Sequence, residues 1–169
     1  MTSHRPGAKL IRALCAPARL YDWHVGWILG RRFLRLTHVG RQTGRPYRTV
    51  LEVIGDDHRS HEVIVMAGLG RSAQWYRNLL AGGAIEVAIA GERFTPSYRE
   101  LDPREAAAVL ADYERRNRYL APILRRVLTR LVGWRYDGTP ANRLQLVSEL
   151  PIVAFRPARN TADFPLTCT

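Results

Sequence analysis

Lysine is almost missing from this chain. Lys9 is the only one, although lysine and arginine together make up 26 of the 169 residues. The positive charge therefore rests on arginine, whose planar fork grips phosphate and carboxylate oxygens in pairs where lysine acts as a point charge. Acidic residues are scarce too, 15 in all, which leaves a formal net charge of +11. That balance favours an anionic partner: a phosphorylated cofactor, nucleic acid or a membrane surface. Cysteine is limited to Cys15 and Cys168 with no C-x-x-C pair, so no disulfide framework is expected and a reducing cytoplasm is the default. Long apolar runs are absent. The uncharged stretch between Asp22 and Arg31 falls far short of the roughly 20 residues a spanning helix needs. Met1 to Arg12 is polar and basic, without the apolar core and cleavage site of a signal peptide. No Walker phosphate loop occurs, since that motif requires a lysine after its second glycine and then a helix. His58 and His61 have a spacing that could hold a metal, but no third ligand is placed to complete a site, so none is expected.

The most informative stretch is Leu36-Thr-His-Val-Gly-Arg-Gln-Thr-Gly-Arg-Pro-Tyr-Arg48. Runs rich in β-branched and aromatic residues flank it, at 33–39 and 47–55, and both read as strands. Between them the glycines Gly40 and Gly44 allow a tight turn or a close approach to a ligand. Arg41, Arg45 and Arg48 crowd a hairpin that needs none of them to fold. The connection is thus either a solvated turn or an anion cradle, and spacing alone leaves both open.

Around this hairpin the chain reads as a single domain. Residues 9–32 carry apolar positions at helical spacing, interrupted at Pro17. They read as a packed or dimer-seam helix, or as an interfacial helix on anionic lipid aided by Trp23 and Trp27. Residues 61–67 form a nearly continuous apolar strand. Gly68 and Gly70 end it, Ser72 is the expected N-cap of a short helix through Leu80, and that glycine loop would present free N–H groups to a ligand. Strands follow at 84–90 and 93–101, the second at an edge because of Pro96. Asp102-Pro-Arg-Glu105 predicts a helix start closed by a capping box. A second amphipathic helix runs through Val132, residues 133–145 read as a long loop, and Ile152 to Phe155 as the last strand. The pattern implies an α+β fold: a small split β-barrel of about six mainly antiparallel strands with peripheral helices. It spans 33–157, after an N-terminal helical extension at 1–32 and before a tail at 158–169.

The residues Leu36 to Thr49, followed by Ala67-Gly-Leu-Gly70 and Trp75-Tyr-Arg-Asn-Leu79, resemble the deazaflavin-dependent nitroreductase family, split-barrel oxidoreductases that use coenzyme F-420. The paired motifs G-R-x-T/S-G-x-P and W-Y-x-N-L carry the resemblance. It implies an FMN-binding-like barrel that takes hydride from reduced F-420, with FMN the less expected cofactor. Arg41, Gln42, Thr43, Gly44, Arg45 and Arg48 would receive the cofactor's phosphate and acidic tail. Ala67, Gly68, Leu69 and Gly70 would lie against the ring, and Trp75, Tyr76 and Asn78 would support the wall. The chain departs from the family at Gln42 and Tyr47, where basic residues are usual. The acceptor would be an activated small molecule, a quinone, enone or nitroaromatic, with Tyr113, Tyr119 and Tyr136 as candidate proton donors to its oxygen. The alternatives are a non-catalytic F-420 or flavin carrier, or a basic protein on nucleic acid or a membrane surface. Nucleic acid is disfavoured because no recognition motif is visible. A homodimer is compatible with the sequence.

Overall fold

The computed structural model describes residues 30–57 and 59–158. The N-terminal extension up to residue 29 with Trp23 and Trp27, both cysteines, His58 and the tail from residue 159 lie outside the described residues. Seven strands form one sheet: β1 (Phe33–Val39), β2 (Pro46–Asp57), β3 (Glu62–Met66), β4 (Ala84–Ile89), β5 (Glu92–Phe94), β6 (Pro96–Glu100) and β7 (Ile152–Pro157). Their order is β5-β4-β1-β2-β3-β7-β6, and every pair is antiparallel. The helices are α1 (Gln74–Leu80), α2 (Pro103–Arg116), α3 (Ala121–Val132) and α4 (Pro140–Glu149). Among the described residues, no helix is long and apolar enough to cross a membrane.

The two edge strands, β5 and β6, are separated by Thr95 alone. The chain steps there from one edge of the sheet to the other, so the sheet curls into a nearly closed, split barrel. The single strand expected at 93–101 is therefore two strands with different partners: β5 pairs with β4, and β6 with β7. Pro96 opens β6 at the edge, where its missing N–H costs no ladder bond. The 12-residue β2 serves both halves. It pairs first with β1 and then with β3, and its register shifts between Val53 and Gly55, the bulge that lets a strand bend from one wall to the next.

Two cores result. Leu34, Leu36, Leu51, Val63, Val65, Val87, Ile89, Val153 and Phe155 fill the barrel, and α1 closes one mouth with Trp75, Tyr76 and Leu79. Outside, Ile54, Ile64, Ile152 and Ala154 pack against Ala106 and Leu110 of α2, Leu128 of α3, and Leu146 and Val147 of α4. Strands β3 and β7 are buried on both faces, which is why their sequences run apolar without alternation.

Three local expectations are corrected. Residues 133–145 are not one long loop. Helix α4 begins at Pro140 with Thr139 as N-cap, its Oγ1 accepting from the Asn142 N–H at 3.3 Å. This is the Thr-Pro form of the signal that starts α2, masked by neighbouring Gly138. Ser72 does not cap α1; it sits in a 3₁₀ turn and donates to the Leu69 carbonyl at 2.8 Å, and Ala73 holds the cap position. Asp102 caps α2 as expected, accepting from Arg104 and Glu105 N–H groups, but Glu105 closes no box because Arg99 takes both its oxygens.

The same Arg99 holds Glu62, a carboxylate buried at 6% exposure on β3, through two bonds of 2.9 and 2.7 Å. The guanidinium keeps the Glu62 carboxyl below its usual range. A depressed carboxyl pKa contributes stability above the unfolded value, about 4.3, that disappears as pH falls through the folded value. Arg99→Met should cost about 2–3 kcal/mol at pH 7, less than for a fully buried pair because Arg99 is half exposed. Urea denaturation at pH 7 and pH 4 checks this: the gap between variant and wild type should narrow in acid.

Candidate functional site at the barrel mouth

The β1–β2 hairpin closes by backbone bonds from Gly40 N to Arg45 O and from Gly44 N to Gly40 O, both 2.8 Å. Gly44 adopts φ +65°, which a side chain would strain. Gly40 is glycine for another reason. A Cβ there would stand 2.5 Å from Cε2 of Tyr47 and 2.6 Å from Oγ1 of Thr43, so the close approach is made by the chain's own tyrosine. Tyr47 lies opposite His38 in the β1–β2 register. Their rings stack 6.1 Å apart at 24°, and the Tyr47 hydroxyl is 3.2 Å from Thr43 Oγ1.

Helix α1 crosses beside this hairpin. The Arg41 Nη1 group donates to Gln74 Oε1 at 3.0 Å and to Asn78 Oδ1 at 2.9 Å, and the Arg41 backbone N–H reaches the same Oδ1 at 3.2 Å. The Asn78 amide nitrogen lies 3.0 Å from Nδ1 of His38, and His38 Nε2 lies 3.2 Å from Thr49 Oγ1. His38 is buried at 3% exposure, and burial pushes its pKa down against an opposing hydrogen bond with the Val39 backbone.

Between hairpin and helix lies a cavity of about 380 Å³. Gly40, Arg41, Gln42 and Thr43 form one side, Tyr47, Arg48, Thr49 and His38 the floor and rim, and Gln74, Trp75 and Asn78 the helical wall. No carboxylate lines it. Both protons of Arg41 Nη1 are engaged by amide oxygens, while its Nε–H and Nη2–H edge has no protein partner among the described residues. That edge is the fork that binds phosphate or carboxylate two oxygens at a time. The guanidinium groups of Arg45 and Arg48 likewise make no ion pair among the described residues. Arg41 and Arg48 line this carboxylate-free hollow, whereas Gly44 and Arg45 of the same hairpin are outside the lining; uncompensated cations there fit an anionic ligand.

The structure brings Arg41, Gln42, Thr43, Arg48, Trp75 and Asn78 to this cavity. It does not bring Ala67 to Gly70, which lie outside the lining. Three of their N–H groups are spent locally: Ala67 on Pro151 O, Gly68 on Met66 O and Gly70 on Ala67 O. Gly70 has φ +64° and would place a Cβ 2.9 Å from the Glu149 carbonyl, so packing explains that glycine. Tyr76, one helical position on from Trp75, turns into the core. It bonds Glu100 and Arg71, and burial, then Glu100, raises its pKa to about 12.

None of the three candidate tyrosine donors borders the cavity. The Tyr113 hydroxyl donates to Glu52 Oε1 at 2.8 Å beside a separate hollow. Tyr136 is buried and donates to Glu114 Oε1 at 2.6 Å. Burial raises the pKa of both, and their carboxylate partners add to it. Tyr119 is 82% exposed and receives a bond from Arg118. Conversely, His38, Tyr47, Thr49 and Gln74 belong to the site although the sequence does not single them out for it. Strand parity could have found three of them, because hairpin closure at Gly40–Arg45 sets His38 against Tyr47 and puts Thr49 on the same face.

The fold is a split antiparallel barrel with an arginine-bordered, carboxylate-free mouth. Its family is shown by sequence: the profile of the F-420H(2)-dependent quinone reductase family matches residues 18–121. The chain belongs to that family, which makes it an F-420-dependent oxidoreductase. No curated protein matches it. Among solved structures, it is similar to a protein of unknown function from Agrobacterium tumefaciens strain C58, at 13% identity and TM-score 0.49, covering 85% of this chain and 55% of that one. An F-420-H2-dependent reductase shares 14% identity at TM-score 0.40, covering 76% of this chain and 96% of that one. A pyridoxamine 5′-phosphate oxidase-related, FMN-binding protein from Nostoc punctiforme matches at 14% and 0.40, covering 85% and 80%.

Proposed function

We propose that the protein reduces a quinone, or a comparably activated enone or nitroaromatic, with hydride from reduced F-420 held at the barrel mouth. The observation that supports this most is Arg41: it lines a cavity without carboxylates, Gln74 and Asn78 hold its Nη1, and its Nε–Nη2 edge has no protein partner among the described residues. When bound, reduced F-420 supplies the two electrons and the hydride; the chain binds, orients and shields. Arg41 would take the phosphate with Thr43 beside it, and Arg48 at the rim, with Arg45 farther along the hairpin, would receive carboxylates of the acidic tail. Trp75 and the stacked Tyr47–His38 pair give the cavity aromatic walls suited to a planar ring. Gln42 contributes a neutral amide where a cation is usual, so the phosphate grip centres on Arg41. Tyr47 is the phenol within the lining that could donate to an acceptor oxygen, since Tyr113, Tyr119 and Tyr136 lie elsewhere.

An acceptor panel tests the proposal. With reduced F-420 in excess, a quinone should be turned over by the wild-type chain, with enones and nitroaromatics as competing classes. Binding of F-420 without turnover of any acceptor would support the carrier alternative instead. Substituting FMN in the same assay separates the two cofactors.

A further inference from the structure

We propose that His38 is a positioning residue: it locks the Asn78 side-chain amide in one orientation and thereby aims the free edge of Arg41 into the cavity. The ligand's identity rests on the F-420 reading; the relay is a property of the chain alone.

Two groups approach Asn78 from the hairpin, the Arg41 backbone N–H at 3.2 Å and Nη1 at 2.9 Å. Both can only donate, so the oxygen of the amide must face them. The amide nitrogen is then turned to His38 Nδ1 at 3.0 Å, and since it too can only donate, Nδ1 must carry no proton. The imidazole proton sits on Nε2 and donates to Thr49 Oγ1 at 3.2 Å. One tautomer satisfies every atom of the chain Thr49–His38–Asn78–Arg41.

An asparagine amide has nearly the same shape after a half turn, so packing alone does not fix which end faces Arg41. Hydrogen bonding at both ends does: the two Arg41 donors hold the oxygen and the acceptor lone pair of His38 holds the nitrogen. A protonated or Nδ1–H imidazole would force the amide to turn, set its nitrogen against two hairpin donors, and release Arg41. The groups facing His38 from the other elements are the Tyr47 ring and Thr49 on β2, Asn78 on α1, and Ala84, its partner position on β4. None is a carboxylate that would favour the imidazolium. Arg41 beyond Asn78 disfavours a second cation.

The experiment has two arms. In wild type, nitrogen-15 spectra of His38 should show the Nε2–H tautomer, kept at pH values where an ordinary imidazole is protonated. An Nδ1–H tautomer or an imidazolium at neutral pH would overturn the proposal without any variant or ligand. In the second arm, His38→Phe keeps a ring against Tyr47 and removes the acceptor. One buried neutral hydrogen bond corresponds to roughly a fivefold effect, so the Arg41 amide proton should exchange with solvent about fivefold faster and F-420 should bind about fivefold more weakly. Combined with Arg41→Ala, His38→Phe should add no further loss, because it acts through that arginine. Independent, multiplying effects would overturn the relay. Absence of any F-420 binding in wild type would sink the cofactor reading, while the tautomer and exchange measurements would still decide the relay.

Discussion

Arg41→Ala should weaken binding of F-420 by roughly 10- to 100-fold, the change expected from losing charge-assisted hydrogen bonds worth about 1.5–3 kcal/mol. The residue stands where no carboxylate competes for its charge, and its Nη1 protons are already held by Gln74 and Asn78. The guanidinium is thus pre-organised, and little side-chain entropy is lost when an anion arrives. Folding should survive the change. The backbone N–H at position 41 still reaches Asn78, and the bond to Gln74 is exposed. Arg48→Ala should have a smaller effect, since Gln74 and Asn78 hold Arg41 in place and no such bonds hold the Arg48 guanidinium among the described residues. Titration followed by cofactor fluorescence at low and high salt measures both. The wild-type affinity should fall with ionic strength, and less steeply in the variant. An unchanged dissociation constant in Arg41→Ala would remove this arginine from the site.

Gly83→Ala should be the most damaging single methyl group in the molecule's functional half. Gly83 joins the end of α1 to β4 and is clamped by backbone on two sides: its N–H donates to Asn78 O at 3.0 Å, and its carbonyl accepts from Val39 N at 2.6 Å. An added Cβ would lie 2.8 Å from both the Asn78 and the Val39 carbonyl oxygens. These are main-chain atoms of a helix and a strand, so no rotamer change relieves the clash. Overpacking of this kind costs about 1–3 kcal/mol, which lowers the melting temperature by roughly 2–12 °C in a chain of this size. The shift must also move α1 relative to β1. The Asn78 contacts to Arg41 and His38 should loosen, and F-420 affinity should drop along with stability. Neighbouring Gly82 is the control. Its φ is +77°, but a Cβ added there would meet nothing within 4 Å. Gly82→Ala should therefore carry only a backbone penalty of about 1 kcal/mol and leave binding intact. Thermal melts and titrations of the pair decide it; equal effects at both positions would contradict the clash.

Much of this architecture is legible in the sequence because local chemistry and tertiary structure agree. The hairpin at Gly40–Gly44, the Asp102-Pro103 helix start and the two-sided burial of Val63–Val65 can each be read from residue types. Sequence reasoning fails where one signal hides another. Pro140 looks like a breaker beside Gly138, yet Thr139 makes it a helix start. Thr95 divides a stretch that reads as one strand, because closing the barrel requires its two halves to pair with opposite edges. The site divides in the same way. The arginines and the Trp75–Asn78 helix announce themselves by motif, whereas Gln74 acquires meaning only through its contact with Arg41 across 33 residues of chain, and the His38–Asn78 bond spans 40. Tyr113 and Tyr136 look like donors in sequence, but in the fold each is committed to a glutamate.

The most direct test of the cavity as the F-420 site is an amide and indole nitrogen-15 spectrum of the wild-type chain titrated with F-420. Saturable shifts should concentrate at Gly40–Arg45, at Gln74, Asn78 and the Trp75 indole, and at His38. Shifts confined to the Ala67–Gly70 loop or to the hollow beside Tyr113, or no shifts at all, would contradict the account.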